Sequence, residues 1–210
     1  MVAVLEYFQN FSILFLVINT VLYLLRWKNA DRAFRIFTLY LVAMTMVQLI
    51  SSYVASVLHQ NNLYMFHFYF VLQFVILSIF YANLLRAQRV LWVLFAVLGF
   101  LAFEYVRTPR VFFEYHPSGV SITQGILVLY GILYLYRNIS GNGKLIYLNT
   151  GIFLYLLTSV LVFASGNLVF NVNISLNAIM AINSINDIAY FIFQLFIFYE
   201  WFKNYRLAPH

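Results

Sequence analysis

The sequence predicts an all-α polytopic membrane protein, a single domain built as a seven-transmembrane helix bundle with its N-terminus outside and its C-terminus cytoplasmic. Two observations carry this. The 210 residues are 64% hydrophobic and only 9% charged, more apolar surface than one soluble core of that size can hide. Ten of the twelve Lys and Arg residues sit in alternate connections between the apolar runs, and that pattern reports orientation as well as number.

Crossing about 30 Å of hydrocarbon takes roughly 20 apolar residues of helix. The first such run is Val2–Leu25; no basic region or small-residue cleavage site marks it as a leader, so it reads as a permanent anchor. Ile36–Leu58 follows a four-cation connection, and Leu63–Leu85 follows at once after a short polar link. Val90–Val106 and Val120–Tyr136 are the shortest runs, separated by the longest connection. That connection carries Arg107, Pro109, Arg110, Glu114, His116 and Pro117, and serves either as a lid over an outward pocket or as a polar turn. Leu145–Ser165 and Leu176–Phe202 complete the set. None of these runs alternates apolar with polar as the strands of a membrane β-barrel do.

Arg26, Lys28, Arg32 and Arg35 precede the second run, Arg86 and Arg89 the fourth, and Arg137 and Lys144 the sixth; Lys203 and Arg206 follow the seventh. The opposite side holds only Arg107 and Arg110. Lys and Arg concentrate in cytoplasmic loops, which sets the orientation. Trp27, Trp92 and Trp201 all fall at the same predicted interface, where amphipathic rings prefer to sit. The expected location is a bacterial cytoplasmic (inner) membrane, crossed several times. A pI near 9.5 would point to nucleic acid in a soluble chain; here it follows from topology, and no nucleic-acid contact is expected. The Arg26, Lys28, Arg32, Arg35 connection is a candidate contact for a partner or for anionic headgroups, as well as a plain topology signal.

With helix position as a ruler of about 1.5 Å per residue, Asp187 lies about 16 Å deep, near the midplane. Gln73 and Gln48 come out at a similar level. An acidic side chain at that depth costs about 2.5–3.5 kcal/mol on insertion scales, so it faces a protein interior and often has a function. Asn183, Asp187, Tyr190 and Gln194 are spaced four, three and four, on one helical face. The face reads either as a ligand or proton site or as a hydrogen-bonded clamp between helices. Nearer the outside, His59, His67, Glu104, Thr123 and Gln124 are expected to wall a shallow vestibule.

Several chemistries find no support. A retinal Schiff base needs an intramembrane Lys, and Lys28, Lys144 and Lys203 are all at interfaces. No spaced His motif supports a metal site, no serine sits in a recognisable nucleophile elbow, and no cysteine is present. No catalytic residue, metal or cofactor is therefore expected.

The third run reads Asn62-Leu-Tyr-Met-Phe-His67-Phe-Tyr69-Phe-Val-Leu-Gln73-Phe74, then Ile79-Phe80-Tyr81; the sixth carries Asn149-Thr-Gly151, Tyr155 and Ser165-Gly166-Asn167. With the polar seventh run, these segments resemble a family of small seven-helix integral membrane proteins of Bacteroidota type, with a His-x-Tyr, an acidic residue and a Phe-Tyr pair in the third helix. This chain departs from that pattern at Gln73, where the family is acidic. The resemblance implies a sensory component, often encoded beside sensor histidine kinases. The expected function is thus a receptor-like sensor recognising a small molecule, lipid or peptide from outside. It would act through a separate cytoplasmic partner, a histidine kinase or other signalling protein. A small solute permease with a midplane polar site and a lipid-acting membrane enzyme stand as alternatives. The candidate ligand residues are Asp187, Asn183, Tyr190, Gln194, Gln73, Gln48, His67, Tyr69, Glu104 and Gln124.

Overall fold

The computed structural model describes residues 2–113, 117–139, 143–171 and 176–206, with side chains described except at 2–10, 111, 117 and 163–183. Among the described residues the chain is all helical. The seven α-helices are α1 (Val2–Leu25), α2 (Arg32–Ser56), α3 (Leu63–Leu84), α4 (Arg89–Arg107), α5 (Pro117–Arg137), α6 (Ile146–Asn171) and α7 (Leu176–Asn204). Short 3-10 turns at Trp27–Asn29 and Pro109–Phe113 complete the structure. Four of the helices, over Arg32–Ser56, Leu63–Leu84, Arg89–Arg107 and Ser118–Arg137, are long and apolar enough to cross a membrane. The chain is a helical membrane protein.

The helix starts differ from the expected ones where local chemistry extends them. α2 begins at Arg32 rather than Ile36 because Asp31 caps it, its Oδ1 accepting from the Phe34 N–H at 2.9 Å. α5 begins at Pro117, a first position where a missing N–H costs nothing. α3 ends in a Schellman arrangement, with Ala87 N–H donating to Ala82 O and Arg86 N–H to Asn83 O. Arg86 supplies the left-handed residue, φ 50°, that this ending needs.

Consecutive helices pack side by side except α4 and α5; among the described residues α3 contacts α5 as well as α4, and α1 contacts α7. Six helices thus close a ring in the order α1, α2, α3, α5, α6, α7, and α4 lies outside it against α3. The outer face of α4 exposes Trp92, Phe95 and Phe103, which suits lipid.

The two ends of the ring differ. At the end holding the basic connections the interior is solid with rings: Tyr23 stacks on Phe34 at 4.5 Å, Phe34 meets Tyr205 at 4.4 Å, and Phe37 meets Phe80 at 5.7 Å. Burial chiefly, then the carboxylates of Asp31 and Glu200, push the Tyr205 phenol well above its ordinary range, so it stays neutral there. Basic side chains stitch this end together. Arg26 donates to Arg206 O, Arg35 to Ala30 O and Lys28 O, and Arg137 to Leu85 O at the end of α3. Lys144 pairs with Asp31 at 3.1 Å, an exposed ion pair that contributes little. Of the four-cation connection, Lys28 and Arg32 are exposed, while Arg26 and Arg35 also hold backbone carbonyls.

Candidate functional site

At the other end, where α2 joins α3, the ring is hollow. A cavity of about 440 Å³ lies between α1, α2, α3, α6 and α7. Small side chains make the space: Ser12 comes from α1, and Ser51, Ser52 and Ala55 come from α2. Larger rings close the wall towards the basic end, Tyr69 from α3, Tyr155 from α6 and Tyr190 from α7. The Tyr69 and Tyr155 hydroxyls meet at 3.0 Å, and the Tyr155 and Tyr190 rings lie 5.3 Å apart. Gln48 of α2 and Asn186 and Asp187 of α7 add amide and carboxylate groups. Asp187 is the only charged side chain among the described lining residues. A second cleft of about 330 Å³ between α2 and α3 shares Gln48, Ser51, Asn62, Phe66 and Tyr69 with this cavity. Asn62 Nδ2 bridges the two helices there by donating to Ser51 Oγ at 2.9 Å.

Nine of the ten candidate ligand residues fall into three groups. Gln48, Tyr69, Asp187 and Tyr190 line the cavity. Gln73, Gln124 and Gln194 do not; each is fully buried nearer the basic end and joins helix to helix. Gln73 Nε2 donates to Tyr40 Oη at 3.2 Å, and Gln73 Oε1 accepts from Gln124 Nε2 at 3.4 Å, linking α2, α3 and α5. Gln194 accepts from Asn19 Nδ2 on α1, through both its side chain and its backbone carbonyl. At the next residue of α1, the Thr20 and Thr45 hydroxyls meet at 2.8 Å between α1 and α2.

His67 and Glu104 make a third group on the α3–α4 side. His67 is 2% exposed, its Nδ1 lies 2.8 Å from Tyr105 Oη, and its ring stacks on Phe112. It is a packed interior group here, not the wall of an open vestibule. Thr123 is likewise buried, its hydroxyl donating to Gly119 O within α5, and His59 is exposed in the α2–α3 connection. The side chain of Asn183 lies outside the described residues, as do Glu114 and His116 of the candidate lid.

Sequence reasoning missed Tyr155 as a cavity residue, and it missed Glu200. Glu200 is fully buried, with Oε2 accepting from the Tyr147 and Leu148 N–H groups at 3.0 and 3.2 Å. It caps α6 from the neighbouring helix, using the positive end of the α6 dipole. The signal was available: it is an acidic residue within an apolar helix, as Asp187 is.

Compared with protein-family models, curated proteins and solved structures, the chain gives no match.

Proposed function

We propose that the chain is the receptor-like component of a membrane sensor, with seven spans, an outside N-terminus and a cytoplasmic C-terminus in a bacterial inner membrane. The observation that carries this reading is the asymmetry of the ring. The hollow, Asp187-lined end lies opposite the basic connections, and basic connections mark the cytoplasmic side. A ligand then enters from outside, while the solid end transmits a shift of whole helices, since packed rings move as bodies. The exposed Lys28 and Arg32 face the side where a histidine kinase or other signalling partner, or anionic lipid, would dock. Asp187→Asn should abolish the downstream response while the protein's level in the membrane is unchanged. A full response in that variant removes the cavity from the mechanism.

One observation favours a second reading, a small permease. Helices α1–α3 and α5–α7 form two runs of three joined by α4 outside the ring, and α3 meets α5 as α7 meets α1. Parallel repeats around a central site give that contact order. Solute counterflow in proteoliposomes, lost in Asp187→Ala, would establish transport.

A further inference from the structure

We infer that the cavity takes a small organic cation, a protonated amine or a quaternary ammonium group. The inference rests on the cavity being a ligand site, as proposed above, and adds the chemistry of what enters. Three features of the lining point the same way. Its one charged side chain is the carboxylate of Asp187, and no Lys, Arg or His is among the described lining residues. Four aromatic side chains share the space, Phe66, Tyr69, Tyr155 and Tyr190. The faces of such rings attract an ammonium group electrostatically, and more strongly where water is thin. A volume near 440 Å³ fits a small molecule rather than a peptide.

An anion would meet Asp187 and finds no cationic side chain among the described lining residues. A purely apolar molecule would place hydrocarbon against the Gln48 amide and the Asp187 carboxylate, which costs free energy wherever it displaces a polar partner. A cation with a short hydroxylated arm satisfies both requirements, its charge among the rings and Asp187, its hydroxyl against Gln48. The same ammonium chemistry belongs to free amines and to the headgroups of choline or ethanolamine lipids, and the cleft between α2 and α3 offers a side route for the latter.

The test is a titration of the purified full chain with three molecules of one shape. These are choline, its neutral isostere 3,3-dimethylbutanol, and the anion 3,3-dimethylbutanoate, with binding followed by ligand-observed NMR. Choline should bind and the other two should not. Asp187→Asn, with its unfolding midpoint checked, should weaken choline roughly tenfold, the loss of one charge-assisted contact. Tyr155→Phe should retain choline, since the ring face remains, and Tyr155→Leu should lose it. Repeating the titration in nanodiscs separates the two sources. A lipid-headgroup site is blocked in phosphatidylcholine and open in phosphatidylglycerol, whereas a free-amine site binds choline in both. Equal binding of 3,3-dimethylbutanol, or unchanged choline affinity in Asp187→Asn, overturns the cation inference and leaves the cavity as a ligand site. Binding of none of the three to folded protein also overturns it, and the sensor reading is then decided by its own response assay.

Discussion

Asn19 on α1 donates through one amide nitrogen to both the backbone carbonyl and the side-chain oxygen of Gln194 on α7, each at 3.0 Å. The pair closes the ring where the first and last helices meet, and both residues are buried. In hydrocarbon the two helices gain nothing from apolar contact that lipid could not supply, so packing and such hydrogen bonds hold them together. Asn19→Ala should therefore lower stability by about 1 kcal/mol, given about 0.6 kcal/mol for an average membrane pair and the cost of an orphaned buried amide. A double-mutant cycle with Gln194→Ala, read by unfolding in detergent, should show coupling. Strict additivity would mean that the bond to the Gln194 side chain contributes nothing, since Gln194→Ala keeps the backbone carbonyl.

Glu200 holds the start of α6 from α7, and the expected loss there is larger. Glu200→Leu removes three hydrogen bonds to the carboxylate, from the Tyr147 and Leu148 N–H groups and from Asn204 Nδ2, and a favourable charge at the helix N-terminus, for an expected cost of about 2–3 kcal/mol. Glu200→Gln keeps an acceptor and should lose less. Hydrogen exchange provides a local readout, because the amides of Tyr147 and Leu148 should exchange faster in Glu200→Leu than in the parent chain. Unchanged protection at both would show that α6 does not depend on this cap.

Two glycines separate packing from helix propensity. A Cβ on Gly151 would lie 2.6 Å from Phe196 Cβ, whereas a Cβ on Gly99 meets nothing within 4 Å. Alanine is favoured over glycine in a helix interior by about 1 kcal/mol, and overpacking a tight contact costs about 1–3 kcal/mol. Gly151→Ala should thus destabilise the bundle and Gly99→Ala should be neutral or stabilising. Thermal unfolding of the two variants side by side checks this, and a stable Gly151→Ala would mean that α6 and α7 are less tightly apposed.

The helices were legible because long apolar runs leave few alternatives. Their starts were not, since Asp31 and Pro117 act through a cap and a fixed dihedral that hydropathy does not register. The site was legible only by face. Asp187 and Gln194 share a face, being seven residues apart, yet Gln194 lies about 10 Å further along α7, in the filled half of the ring. Tyr69 and Gln73 are related in the same way, one turn apart on α3, the first at the cavity and the second beneath it against Tyr40. His67 is two residues from Tyr69, and that spacing sends the two to different sides of α3. One meets Tyr105 and the other Tyr155. Periodicity orders residues around a helix, but where the ring is hollow depends on small residues of other helices, Ser12 and Ser51 among them.

Orientation decides which compartment the cavity serves, and the absence of cysteine from the sequence makes it directly measurable. A single introduced cysteine is then the only thiol in the chain. Ser56 and Gln60 are exposed at the hollow end, and Lys28 and Arg86 are exposed at the basic end. If the basic connections are cytoplasmic, a membrane-impermeant maleimide added to intact cells should label Ser56→Cys and Gln60→Cys. It should reach Lys28→Cys and Arg86→Cys only after permeabilisation. All four side chains are exposed, so the substitutions should leave stability within about 0.5 kcal/mol, and a difference in labelling reports position rather than misfolding. The reverse pattern would place the Asp187 cavity on the cytoplasmic side. It would then serve an internal ligand, and the outward-facing sensor reading would have to be abandoned.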